Sequence, residues 1–193
     1  MAIFVSGETQ LAYEVHGAGF PILLIAPGGL RSERGMWRGS PLNPLAALSD
    51  HFQVIAMDQR NAGESTGPIE SDHDWSTYTQ DQLDLMTHLG HERFAVVGMC
   101  IGGPYILNLL KTAPERIVAS AVMQTIGRDN NRAEFLTMFD GWAEHLHAQD
   151  PQTYPSEALA GLRRRMFEND LTFMAMSDQV IETSIWRTIE RSS

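Results

Sequence analysis

A single cysteine stands between closely spaced glycines in the segment Gly-Met-Cys-Ile-Gly-Gly at positions 98–103. The segment follows an apolar strand pattern and opens a helical one. A nucleophile on a sharp turn between a strand and a helix needs glycine two residues before and after it, because larger side chains would clash. The helix would also direct its free N–H groups and positive dipole end at the sulfur. The spacing therefore predicts a nucleophile elbow, with Cys100 as the nucleophile and Gly98 and Gly102 as its small neighbours.

The elements around this segment alternate between strand and helix patterns. Two opening β patterns, at residues 2–5 and 11–16, predict an antiparallel hairpin in which Leu11, Tyr13 and Val15 share a buried face. Continuous apolar runs favour central strands covered on both faces. Such runs lie at residues 22–26, 54–57, 94–98 and 117–123, with helices predicted at about 76–89 and 102–113. This alternation indicates an α/β protein with a mostly parallel sheet.

The pattern changes after about residue 127. From there to the end we find helical patterns with Trp, Phe and Met on their apolar faces, and no convincing strand. Prolines at 151 and 155 separate the first predicted helix from the second. The three predicted helices cover residues 132–149, 156–169 and 172–190.

The loop at residues 58–65 carries a family resemblance. The run Asp-Gln-Arg-Asn-Ala-Gly-Glu-Ser at 58–65 resembles the D-x-R-G-x-G-x-S loop of α/β-hydrolases. With the Pro-Gly-Gly turn at 27–29 and the cysteine elbow, it occurs in the order and spacing of that superfamily. Asn61 stands where the family has glycine, and asparagine enters left-handed conformations more easily than most residues. The resemblance implies an α/β-hydrolase core of six strands at 1–126 and a helical cap segment at 127–193.

The resemblance also implies the rest of the site. The family's oxyanion hole takes one N–H from the residue after the nucleophile and one from the loop after an earlier strand. Here these donors are Ile101 and Gly29, and no metal or cofactor is expected. In the family the acid and the histidine follow the cap, in that order. We therefore expect a fold truncated at its C-terminal end, with no catalytic acid or histidine within these 193 residues.

Several residues have simpler interpretations beside the catalytic one. Cys100 is also compatible with a buried structural thiol, although its elbow context favours a nucleophile. His145 and His147 lie in the predicted cap and could approach the thiol, but solvated helix positions are the more ordinary interpretation. Asp129 is expected to cap the first cap helix rather than to act as the acid. Asp58 is expected to order its own loop.

Composition excludes other classes of function. The chain carries 14 Lys and Arg against 24 Asp and Glu, a formal net charge of -10, which argues against a nucleic-acid partner. We find no signal peptide and no apolar run of the roughly 18 residues that a membrane helix needs. One cysteine excludes an internal disulfide. The expected compartment is the cytoplasm.

The sequence predicts a hydrolase of an ester, thioester or lactone that uses a Cys100 nucleophile and a backbone oxyanion hole. The expected substrate is a small apolar acyl or ring compound. Two alternatives remain: a non-catalytic binding or scaffold protein of the same fold, and an inactive fragment of a longer hydrolase. An incomplete sheet exposes an edge strand, so we expect a homo-oligomer or a partner chain that completes the sheet.

Overall fold

The computed structural model describes residues 1–40, 42–125 and 132–168, which form one six-stranded sheet and the helices around it. The strands are β1 Ala2–Ser6, β2 Thr9–His16, β3 Pro21–Ile25, β4 Gln53–Met57, β5 Phe94–Met99 and β6 Ile117–Met123. Their order across the sheet is β1-β2-β4-β3-β5-β6. β2 is antiparallel to both of its neighbours, whereas β4, β3, β5 and β6 are parallel. The predicted mostly parallel sheet is confirmed.

The helices predicted at about 76–89, 102–113 and 132–149 agree with the structure to within a residue or two, whereas the short helix at 44–48 was not predicted. The described helices are α1 Pro44–Leu48, α2 Trp75–His88, α3 Gly102–Thr112, α4 Arg132–Gln149 and α5 Ser156–Arg163, the last continued by a π-helical turn, Arg164–Glu168. The predicted helix at 172–190 and Asp129 lie outside the described residues. We call α4, α5 and the π-helical turn the cap helices. None of the described helices is both long and apolar enough to cross a membrane.

Both faces of the central strands are buried. Alternate side chains of β3 and β4 enter two separate apolar clusters, one on each side of the sheet. Leu23 and Ile55 belong to the cluster that includes α2, α3 and the cap helices, whereas Leu24 and Val54 belong to the cluster around Trp37. This two-sided burial explains why these strands are continuously apolar instead of alternating.

The opening hairpin differs from its prediction. Leu11 and Tyr13 are buried as expected, but Val15 on the same face is 39% exposed, and Ala12 on the opposite face is fully buried. The loop after β4 explains the burial of Ala12, because the Ser65 hydroxyl accepts the Ala12 N–H at 2.9 Å. Tertiary cover by this loop, rather than alternation along the strand, therefore decides which residues of β2 are buried.

Candidate active site

The three motifs that carry the resemblance meet at one edge of the sheet. β3, β4 and β5 are adjacent parallel strands, so their carboxyl ends lie side by side. Ile25 at the end of β3 pairs with Gly98 of β5. The Pro-Gly-Gly segment 27–29, the loop 58–67 and the cysteine elbow follow these three strands directly. Ligands of open α/β sheets bind at this carboxyl edge.

Cys100 occupies a tight turn between β5 and α3. Its φ is 57°, in the left-handed region that residues with a side chain seldom adopt. The Cys100 N–H donates to the Met123 carbonyl of β6 at 3.0 Å, and its carbonyl accepts the Gly103 N–H at 3.0 Å. The thiol-bearing residue is partly exposed. A left-handed residue at the start of a helix is the geometry that the predicted nucleophile elbow requires.

The two elbow glycines are required by close backbone approaches. A Cβ added to Gly98 would lie 2.9 Å from the carbonyl of Gly102, and one added to Gly102 would lie 2.7 Å from the Ile25 carbonyl oxygen of β3. Real Cβ atoms do not approach backbone atoms so closely. The spacing noted in the sequence is thus a packing requirement of the turn between β5, β3 and α3.

The two predicted oxyanion donors lie beside this elbow, on the loops that follow the paired strands β3 and β5. Gly29 is buried, has a φ of 63° and begins a 3-10 turn, Gly29–Arg31. We call this the glycine turn. Ile101 is fully buried immediately before α3. Within the described part of the chain, neither N–H donates to a protein acceptor. The predicted role of both groups requires an N–H without a protein acceptor.

Asp58 has the contacts of a residue that orders its loop. Its carboxylate accepts the backbone N–H of Arg34 at 2.8 Å and of Glu64 at 2.9 Å, and it forms an ion pair with the Arg34 guanidinium. The Asp58 carbonyl also accepts the Ser65 hydroxyl at 2.9 Å. These bonds tie the loop 58–67 to the segment after the glycine turn, as expected from the sequence.

A buried ion pair that the sequence analysis missed fixes the same loop to α2. The Arg60 guanidinium donates two hydrogen bonds to Asp81, at 2.8 and 2.7 Å. Burial opposes the charge on Arg60, but the hydrogen bonds and charge of Asp81 outweigh that effect and raise the Arg60 pKa. Asp81 lies beside Gln82 on the mainly apolar face of α2. A carboxylate on that face was the available signal for a buried partner.

The cap helices are joined to the core by a continuous chain of aromatic rings. Neighbouring ring centroids are 5.3–5.7 Å apart along this chain. In order, its members are Tyr78, Tyr105, Trp75, Phe167, Phe139 and Trp142. The helix α4 also packs against the glycine turn. The helix that packs next to one predicted oxyanion donor is thus anchored to the core by buried aromatic rings.

The two histidines of the cap have partners of their own. His147 Nδ1 lies 2.9 Å from the Tyr154 carbonyl oxygen, and its Nε2 lies 3.2 Å from the Ser156 hydroxyl. His145 bonds the Gln149 side chain at 3.1 Å. Among the described residues, the structure brings neither ring into hydrogen bonding with Cys100. It also shows there no group of three His, Cys, Asp or Glu side chains suited to hold a metal ion.

Comparison with known proteins agrees with this architecture. Residues 21–189 match the family model for the alpha/beta hydrolase fold. The chain belongs to the α/β-hydrolase family, as the three motifs implied.

Two of the curated relatives that the chain matches are longer than it is. It is 28% identical over 159 residues to the "Putative carbamate hydrolase RutD" of Klebsiella pneumoniae (strain 342), covering 79% of this chain and 58% of that protein. It is 33% identical over 94 residues to a soluble epoxide hydrolase of Corynebacterium sp. (strain C12), covering 49% and 30%. The chain thus spans little more than half the length of the first relative.

A solved structure confirms the fold. The enol-lactonase of Burkholderia xenovorans LB400 is 24% identical and superimposes with a TM-score of 0.59, covering 92% of this chain and 71% of that one.

Proposed function

We propose that the site hydrolyses a carboxylic ester, thioester or lactone through a covalent intermediate on Cys100. The observation that carries the proposal is the left-handed Cys100 at the turn between β5 and α3, beside the glycine turn. In the first half-reaction the Cys100 sulfur attacks the carbonyl carbon and forms the C–S bond. The carbonyl electron pair moves to oxygen, where the Gly29 and Ile101 N–H groups stabilise it. Collapse breaks the bond to the leaving group, which takes up the proton that the Cys100 thiol has lost.

The second half-reaction needs a base to activate water. The described histidines of the cap are engaged with cap residues rather than with Cys100. We therefore propose that this base comes from outside these 193 residues, either from a longer polypeptide or from a partner chain. A chain without it would be acylated once and would then stop.

The substrate is proposed to be a small apolar acyl or ring compound. α4, which carries the buried rings of Phe139 and Trp142, packs on the glycine turn, so the proposed oxyanion hole borders an apolar part of the protein. The carbamate named in the first relative is also an acyl compound, so carbamates belong in the same trial set. A thiol nucleophile must stay reduced, which supports a cytoplasmic location.

The engaged cap histidines also favour a second candidate, a protein that binds its ligand without turnover. It would keep the elbow and the oxyanion donors as a binding site, with no base to release an acyl group. The two candidates differ in whether a carbon–sulfur bond forms.

The experiment is the hydrolysis of p-nitrophenyl acetate by the wild-type chain, Cys100→Ala and Cys100→Ser, followed through burst and steady state. We expect a stoichiometric burst with an acetyl adduct on Cys100 by mass spectrometry, and no adduct on Cys100→Ala. Steady turnover lost in Cys100→Ala would show in addition that a base is supplied. If the wild-type chain and Cys100→Ala give the same signal, the covalent proposal fails and the binding protein is favoured.

A further inference from the structure

Asn61 occupies a costly position in the loop after β4. Its φ is 60°, it is 8% exposed, and its side-chain Nδ2 is buried without a hydrogen-bond partner among the described residues. Left-handed backbone and an unpaired buried donor each destabilise a fold. Glycine, the residue that the family motif has here, would incur neither cost. The asparagine side chain must therefore contribute something that offsets both.

Asn61 accepts two hydrogen bonds from the cap segment, one at its backbone carbonyl and one at its side chain. The Trp142 indole N–H of α4 donates to the Asn61 carbonyl at 3.1 Å. The hydroxyl of Tyr154, which lies between α4 and α5, donates to Asn61 Oδ1 at 3.2 Å. The same Oδ1 accepts the Gly67 N–H at 2.8 Å, which holds the side chain in place within its own loop. All three bonds are buried, so water does not replace them at low cost.

The attachment lies where α4 meets the oxyanion region. Trp142 follows Gly141, and the Arg31 guanidinium lies beside that glycine, 3.8 Å from where a Cβ would be. Arg31 ends the glycine turn, against which α4 packs. A shift of α4 relative to the loop 58–67 would therefore displace the turn that carries the Gly29 N–H.

We propose that Asn61 is a positioning residue that holds α4 and the adjoining segment 150–155 in place over the glycine turn. Its carbonyl fixes Trp142 and its Oδ1 fixes Tyr154, so that one core residue sets the position of the cap. Only the kinetic part of the test rests on the proposed hydrolase; the attachment itself does not.

The attachment is tested by hydrogen–deuterium exchange on Asn61→Gly, Tyr154→Phe and the double variant. Glycine accepts the left-handed φ but removes the Gly67 N–H contact as well as the hydroxyl contact. Phenylalanine removes the hydroxyl contact alone and keeps the backbone carbonyl that bonds His147. The Oδ1–hydroxyl bond is thus the contact with the cap segment that both changes remove. We expect the amides of α4 and α5 to exchange about fivefold faster in each single variant, as for the loss of one net hydrogen bond. The amides of β3 and β5 should stay as protected as in wild type. The double variant should exchange no faster than Asn61→Gly.

Unchanged exchange of the cap amides in Asn61→Gly would overturn the proposal, and so would additive effects in the double variant. Equal acceleration in β3 and β5 would also overturn it, because that pattern means general destabilisation. For the kinetic test, the Cys100 burst is measured with p-nitrophenyl butyrate. Asn61→Gly should raise the substrate concentration for half-maximal burst rate several-fold and leave the limiting rate within about twofold. A lower limiting rate with unchanged half-saturation contradicts a positioning role, whereas an absent burst in wild type contradicts only the hydrolase.

Discussion

At the scale of single residues, backbone strain marks the site. Within the described residues, positive φ values at non-glycine positions occur at Asn61, Cys100 and Gln124. They follow β4, β5 and β6, at the carboxyl edge where the three motifs meet. Strained residues persist where the surrounding structure holds them, and they concentrate at binding and catalytic sites. The strained residues and the three motifs therefore lie at the same edge of the sheet.

The elbow glycines give the first prediction. Gly102→Ala places a Cβ 2.7 Å from the Ile25 carbonyl oxygen. Because backbone on both sides must move, we expect the free energy of unfolding to fall by about 2 kcal/mol and the Cys100 burst to be lost. Gly39→Ala is the matched control, since nothing lies within 4 Å of its added Cβ. Urea denaturation measures the free energy of unfolding of both variants. Equal values would show that the elbow tolerates the larger residue.

His73 gives a pH prediction. Burial, followed by the charge of Arg60, lowers the His73 pKa below its ordinary 6.5. Its Nδ1 also accepts the Glu70 N–H at 3.1 Å, which requires an unprotonated nitrogen. As the pH falls below about 6.5, the unfolded chain binds a proton that the folded chain resists, so the free energy of unfolding decreases.

The measurement is the urea midpoint of wild type and His73→Asn between about pH 8 and about pH 5. Asparagine keeps an acceptor for the Glu70 N–H but does not titrate in this range. We expect the wild-type midpoint to fall more steeply than that of the variant below about pH 6.5. Parallel profiles would mean that other groups account for the acid sensitivity.

At the scale of elements, the sequence predicted most of the scaffold. Residues 102–113 were predicted as a helix because Gly102 follows the elbow and Pro114 ends the pattern, and α3 covers Gly102–Thr112. Local patterns of this kind depend on neighbouring residues only. The cap attachment at Asn61 depends on Trp142 and Tyr154, which lie 81 and 93 positions later in the chain. No local pattern contains residues so far apart. The exposure of Val15 escaped prediction for a similar reason, because cover over β2 comes from other parts of the chain.

The attachment of α2 to the loop 58–67 gives the element-scale prediction. Asp81→Asn leaves the Arg60 guanidinium buried without its carboxylate partner. Removing one member of a buried pair typically costs about 3 kcal/mol, so we expect a loss of that order in the free energy of unfolding. Asp84→Asn on the same helix is the control, because Asp84 is less buried and bonds only the Gln80 side chain among the described residues. A similar small loss in both variants would refute a structural role for the pair.

At the scale of the whole molecule, the described sheet has two edges of different character. β1 forms one edge and is antiparallel to its neighbour, whereas β6 forms the other and is parallel to β5. Four consecutive residues of β6, 118–121, are exposed. An exposed edge strand in a sheet offers unpaired N–H and C=O groups to another chain. Association through β6 is therefore the form that we expect a homo-oligomer or a partner complex to take.

A lysine introduced on each edge strand in turn tests which of the two edges forms the interface. Val118 of β6 is 40% exposed and Val5 of β1 is 59% exposed. A lysine on an edge strand discourages pairing with another strand. We expect Val118→Lys to shift the protein towards monomer in size-exclusion chromatography with light scattering, and Val5→Lys to leave the distribution unchanged. The opposite pattern would assign the interface to β1, and a wild-type monomer would contradict self-association.

The aromatic chain between core and cap has an optical consequence. Trp75 and Trp142 both belong to that chain, and both donate their indole N–H across the boundary, to Met166 and to Asn61. Trp37 lies in the cluster on the opposite side of the sheet. If the cap helices separated from the core, the indoles of Trp75 and Trp142 would become hydrated while that of Trp37 stayed dry. The position of the cap is thus encoded in the emission wavelength of the native tryptophans, without any added label.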